Sequence, residues 1–173
     1  PIHYMFYNPF EVYYTYVCNA FYDPTLNSFY VLPPFMLEPA YTADMDECKF
    51  YAYWGFILGH EITHGFDKLG APYDKNGEMK DWWTASDAAK FDELNALRVE
   101  NISSYDVVPG MKANGEATVL EDVADLGGFN IAYDLWVNKL KERGVEGDEL
   151  NEMKRQFFLN YAALFSEKMP AAY

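Results

Sequence analysis

Apolar residues recur in two rhythms along this 173-residue chain, and the change from one to the other divides it. Near the start, EVYYTYVC (Glu11–Cys18) is β-branched and aromatic, which predicts a strand. Between Asn19 and Leu32 two apolar runs flank Asp23-Pro24 and Asn27-Ser28, a pattern that predicts a strand, a turn and a returning strand. LPPFMLEP (Leu32–Pro39) is broken by proline and reads as a loop.

Beyond it the rhythm turns helical. Asp44 or Asp46 suits the start of a helix that runs through an apolar stretch and is released at Gly65 and Gly70. Gly70–Thr84 is loop-like; Asp74, Asn76 and Gly77 match part of a calcium loop, but the glutamate such a loop requires is out of register, so a plain turn is predicted. Ala88, Phe91, Leu94, Leu97 and Ile102 stand at helical spacing from about Ser86, a suitable cap, to Ser104. Val107–Ala117 predicts a loop. A long helix follows from about Thr118 to Arg143, stopping at Gly144. A last one spans about Asp148 to Lys168, with Phe157, Phe158, Tyr161, Leu164 and Phe165 as a stripe best read as core. The fold class predicted is α+β and mostly helical: a small N-terminal β-sheet, one long apolar helix, and three further helices.

The apolar helix carries chemistry. In FILGHEITHGFDKL (Phe56–Leu69), His60 and His64 are four apart and so share one helical face. Two imidazoles at that spacing can grip one zinc ion, and Glu61 beside the first is placed to act as general base on the attacking water. The alternative is a helix with two incidental histidines. The chain has three histidines in all, and two stand here.

In TVLEDVADLGG (Thr118–Gly128), Glu121 and Asp125 are again four apart. A catalytic zinc needs a third protein ligand, and a carboxylate from a second helix serves. Asp125 can then accept the free N–H of a ligating histidine and fix its tautomer. Thr118-x-x-Glu121 also matches a capping box. One carboxylate cannot reach back to a cap and project to a metal, and the residues alone leave both roles open.

Composition narrows the partners. Thirteen basic against 27 acidic residues give a net charge of −14, which argues against nucleic acid or an anionic membrane surface. No apolar run reaches the ~20 residues of a membrane span. PIHYMFYNPF lacks a charged n-region and an unbroken apolar stretch, so no signal peptide is read there. The start without Met fits a segment of a longer precursor. With 15 Tyr, 13 Phe and 4 Trp, the aromatic share of 18% suggests surface built to meet a peptide or another part of the same protein. Cys18 and Cys48 are too few for a disulfide framework and read as two unpaired, buried thiols, one bridge being allowed but not required.

Four segments taken together resemble the neprilysin and endothelin-converting-enzyme family of zinc metallopeptidases, a branch of the thermolysin-like gluzincins. GHEITHGFD (Gly59–Asp67) is similar to that family's zinc helix, and YDKNGEMKDWWT (Tyr73–Thr84) to the segment after it. LEDVADLGG (Leu120–Gly128) resembles its glutamate helix, and CNAFYDPTLNSFYVLPP (Cys18–Pro34) the upstream strand with an Asn-Ala pair. The resemblance implies a thermolysin-like catalytic core holding one zinc by His60, His64 and Glu121. It implies Glu61 as general base, Asp125 as the group that orients His60, and Asn19 and Ala20 as the pair that holds a peptide backbone as an added strand. It also implies short peptide substrates and an extracytoplasmic location.

Two departures shape the expectation. Family members are several-fold longer, with a helical domain roofing the site, and carry a histidine and an arginine beyond the fourth helix; FSEKMPAAY (Phe165–Tyr173) supplies neither. Residues 1–173 are therefore expected to be one metallopeptidase catalytic domain, as a fragment that packs against other parts of its protein, binds zinc and cleaves peptides feebly or not at all. A second reading is a zinc-binding, catalytically silent module that holds peptides or a partner along its strand edge. A third is a metal-free helical domain, which metal analysis would remove.

Overall fold

A computed structural model describes residue 16, residues 18–38 and residues 40–166. The strand expected over 11–18 falls outside them, apart from Tyr16 and Cys18, and neither of these is in a strand. The described residues are mostly helical, with two small antiparallel sheets.

The first sheet is the expected hairpin: β1 (Ala20–Asp23) pairs with β2 (Ser28–Val31), Ala20 opposite Val31 and Asp23 opposite Ser28. The proline-rich stretch after it winds into one 3₁₀ turn, Pro33–Met36, because proline at its first positions has no N–H to lose there.

The apolar helix comes in three joined pieces. α1 (Glu47–Phe50) is capped by Asp46, whose carboxylate accepts the Lys49 N–H at 3.0 Å. A π-helical turn, Tyr51–Gly55, leads into α2 (Phe56–Thr63). Across this turn Cys48, Ala52, Phe56 and Ile57 belong to one buried core cluster. Opposite them lies α4 (Gly115–Glu142), a 28-residue helix that presents Ala124, Gly128, Ala132, Trp136 and Leu140 at four-residue spacing, all buried. α5 (Gly147–Leu164) closes the core with Phe157, which has no exposed surface. Glu47 ties the start of α1 to the end of α4 through Arg143 at 2.6 Å and Lys139 at 2.7 Å. Hydrogen bonds from Arg143 and then Lys139 hold its carboxyl down to about 2. The cluster is exposed to solvent, which screens it and leaves its contribution to stability small.

Several boundaries differ from the expectation. α3 (Ala85–Ser104) is capped two residues earlier than predicted, because Thr84, not Ser86, accepts the Asp87 N–H. The stretch 107–117, predicted as loop, forms most of a second hairpin, β3 (Asp106–Val108) with β4 (Met111–Lys112), turning at Gly110 with φ of 83°. α4 begins at Gly115, with Asn114 accepting the Ala117 N–H, so Thr118 lies inside the helix and not at its cap. Cys48 is buried as expected, but Cys18 is exposed; both thiols are free. Phe66, Trp82, Phe158 and Phe165 are each between 41% and 53% exposed, so part of the aromatic surplus is at the surface.

Candidate metal centre

α2 is apolar on the side that meets α4, and its polar residues are gathered near its C-terminal end. His60 and Glu61 lie in its last turn and His64 is the residue that caps it. His60 Nε2 and His64 Nε2 come within 3.0 Å of each other. From α4, Glu121 Oε2 stands 3.4 Å from the first and 3.8 Å from the second. Corners of a tetrahedral zinc site with nitrogen and oxygen ligands lie about 3.3 Å apart, so these spacings suit three ligands of one ion.

The far side of each ring is fixed. Asp125, one turn beyond Glu121, meets His60 Nδ1 at 2.8 Å. Asp67 meets His64 Nδ1 at 2.7 Å. In the tautomers that give both Nδ1 protons to these carboxylates, Nε2 lone pairs would face one another across 3.0 Å. That contact is repulsive unless a proton or a metal ion lies between them.

Glu61 supplies the second sign of a metal site. It is 5% exposed, and its Oε2 has no hydrogen-bond partner among the described residues. A buried carboxylate oxygen left unpaired costs free energy unless something outside the chain meets it. Its ligand atoms and those of His60 and His64 lie within 4.8 Å of one another, which fits a water or ion between them. Burial pushes the Glu61 carboxyl above its ordinary range; the two imidazoles partly offset this and the Glu121 carboxylate reinforces it. Burial opposes a charge on His64 as well. There, the Asp67 hydrogen bond and the carboxylates of Glu121 and Glu61 outweigh burial and raise its pKa.

Asp67 was not among the residues singled out from the sequence. It is 2% exposed, and its other oxygen accepts the Leu69 and Gly70 N–H groups at 2.7 and 2.9 Å. Burial opposes its charge, but His64 and these two amides hold its pKa below the ordinary value. Its signal in the sequence is a carboxylate three residues after His64, near enough to reach the ring through the turn that follows α2.

The metal-site residues border a cleft of about 620 Å³ whose opposite wall is β1. Asn19, Ala20 and Tyr22 line that wall, facing His60, Glu61, His64 and Glu121. Among the described residues β1 has one partner strand, β2, with Leu32 N–H also bonded to Asn19 O at 3.0 Å. Every residue chosen from the sequence is thus at this cleft or, for Asp125, directly behind it.

The model of peptidase family M13 matches residues 19–173. The chain belongs to peptidase family M13. Human neprilysin is 38% identical over 156 residues, covering 86% of this chain and 20% of neprilysin. Human endothelin-converting enzyme 1 is 36% identical over 154 residues, covering 85% of this chain and 19% of that enzyme. This M13 chain therefore spans about one fifth of the length of these curated relatives. Among solved structures, the inhibitor complex of Mycobacterium tuberculosis zinc metalloprotease Zmp1 superposes with a TM-score of 0.75 at 30% identity, over 89% of this chain and 24% of that one. PepO from Lactobacillus rhamnosis HN001 does so with a TM-score of 0.75 at 33% identity, over 88% of this chain and 23% of that one.

In this M13 chain the distance between α2 and α4, which carry the histidines and Glu121, is set by glycine. A Cβ on Gly128 would lie 2.6 Å from His60 N and 2.7 Å from Phe56 O, both backbone atoms that cannot swing aside. Gly59 faces it from α2, where a Cβ would meet Gly128 Cα at 2.9 Å. Gly128→Ala should therefore push α4 away from α2 and carry Glu121 and Asp125 with it. Overpacking costs about 1–3 kcal/mol, and better helix propensity returns about 1 kcal/mol. The expected result is a modest loss of stability in urea together with a roughly tenfold or greater loss of zinc affinity. Unchanged affinity by competition with a chromogenic chelator would show that this contact does not set the site.

Proposed function

We propose that this M13 segment is the zinc-binding core of an endopeptidase of thermolysin-like design that cleaves short peptides. The observation that carries the reading is the convergence of His60 Nε2, His64 Nε2 and Glu121 Oε2, at 3.0, 3.4 and 3.8 Å, beside the unpaired oxygen of buried Glu61. His60, His64 and Glu121 would hold one zinc ion. Zinc so held supplies Lewis acidity, polarising the peptide carbonyl and making water a nucleophile at neutral pH.

The chain's own groups do the rest. Asp125 and Asp67 keep the Nδ1 protons of His60 and His64, so both Nε2 atoms stay available as ligands. Glu61 Oε2 accepts the proton from the attacking water and passes it to the leaving amide nitrogen. Its raised pKa strengthens it as a base and helps it hold that proton until the C–N bond breaks. β1, beside which Asn19 and Ala20 line the cleft, takes the peptide as an added strand through main-chain hydrogen bonds, so many side chains are tolerated.

Zinc titration of chelator-treated protein tests the reading. One equivalent should bind per chain, with affinity falling as pH drops and protons compete for the imidazoles. Peptide cleavage by a protein that carries this segment should vanish with chelator and return with zinc. No zinc uptake would overturn the reading. Stoichiometric uptake without cleavage by such a protein would favour the silent, peptide-holding module instead.

A further inference from the structure

The turn at residues 74–78 has no part in the metal chemistry, yet it touches the hairpin that walls the cleft. Asn27 closes that hairpin and is the only non-glycine residue with positive φ, 43°, among the described residues. Its side chain is bonded at both ends: Oδ1 accepts from Tyr22 Oη at 2.7 Å, and Nδ2 donates to Lys75 O at 3.0 Å. Lys75 lies in a turn that supports itself. Asp74 Oδ1 accepts the Asn76 and Glu78 N–H groups at 2.8 and 3.2 Å, and Tyr73 bridges Met79. Gly77, at φ of 76°, rests so close to the hairpin that a Cβ there would lie 1.9 Å from Thr25 O.

A two-stranded hairpin is marginal by itself in water. The hairpin ladder sets β1 against β2, and Tyr22 packs at Gly65 just past α2, where a Cβ would lie 3.0 Å from its hydroxyl oxygen. The bridge from Tyr22 through Asn27 to Lys75 O adds a second tie, because the 74–78 turn is joined to α2 by residues 64–73, which are bonded from Ala71 N–H to Asp67 O and from Tyr73 N–H to Gly70 O. We propose that Asn27 is a positioning residue for peptide binding: it ties β1 to the 74–78 turn and so holds the strand edge at a set distance from His60 and His64. The proposal rests on the peptidase reading given above. Asn27 does not line the cleft and acts through Tyr22, which does.

The test uses the zinc-loaded 173-residue chain and two ligands, acetohydroxamate, which offers zinc a chelating group and no peptide, and a dipeptidyl hydroxamate, which adds a backbone for β1. Asn27→Gly keeps the positive φ and removes both side-chain bonds; Gly77→Ala leaves Asn27 intact and drives a methyl group into Thr25 O. In both variants affinity for the dipeptidyl hydroxamate should fall about tenfold. Zinc content and acetohydroxamate affinity should stay within twofold of the parent chain. Equal losses for both ligands would make the bridge a general structural tie, and no loss for the dipeptidyl ligand would remove its role; either result overturns the proposal. If the parent chain takes up no zinc or binds neither hydroxamate, the peptidase reading itself falls and this proposal with it.

Discussion

Glu61→Gln should leave zinc occupancy unchanged and lower peptide cleavage by about 10²–10⁴-fold in a protein that carries this segment and is active. The substitution is nearly isosteric, so the buried space is filled as before. What is lost is the capacity to accept a proton. Glu61 is 5% exposed and sits against His60 and His64 with Oε2 unpaired, so water admitted to that space has one base in reach. An amide at the same place can orient water but cannot take its proton. Because Glu61 is assigned no bond to the metal, zinc measured by atomic absorption should remain at one equivalent, and KM should move far less than kcat. Loss of zinc on Glu61→Gln would make Glu61 a ligand, in agreement with its grouping beside the two histidines, and the third-ligand role of Glu121 would need revision.

Much of this site was legible in the sequence because its pieces are local. His60 and His64 share a face by spacing alone, as do Glu121 and Asp125, and a helix over each pair brings the side chains out together. The hairpin was legible for the same reason, since Asp23-Pro24 and Asn27-Ser28 are turn residues between two apolar runs. What escaped is set by tertiary contact. The helix start at Asn114 competes with an equally plausible cap at Thr118, and only the hydrogen bond from Ala117 N–H decides between them. The partner of His64 is Asp67, which lies in a non-helical turn whose shape depends on the Leu69 and Gly70 amides. The glycine pair at 127–128 reads in sequence as a weak point in a helix. In space Gly128 is where α2 and α4 touch backbone to backbone, and Gly127 lies against the Thr63 side chain. The second hairpin was missed because Val107 and Met111 flank only a Pro-Gly turn and the strands are three and two residues long. Runs that short carry no readable period.

Glu121→Ala should remove most zinc affinity while leaving the metal-free fold nearly as stable as before. The two parts of that expectation come from different facts. Glu121 is 69% exposed in its side chain, has no hydrogen bond to a cap, and lies in the second turn of α4, so truncating it costs the metal-free protein within about 0.5 kcal/mol. A capping-box glutamate would behave in the opposite way, weakening the helix start and leaving metal untouched. Thr118 Oγ1 instead bonds Asn114 O at 3.3 Å, inside the helix, so no such box exists for Glu121 to complete. As a ligand its loss leaves two imidazoles, and the affinity should fall by more than the roughly 10–100-fold typical of an outer-shell change. Asp125→Asn supplies that lesser change as a control, since it weakens the hold on His60 Nδ1 and keeps all three ligands. Zinc affinities of the parent chain, Asp125→Asn and Glu121→Ala should therefore descend in that order, with thermal midpoints of the three metal-free proteins close together. Glu121→Ala that binds zinc as tightly as Asp125→Asn would take Glu121 out of the ligand set. The third position would then belong to another group at the cleft, with Glu61 the first to examine.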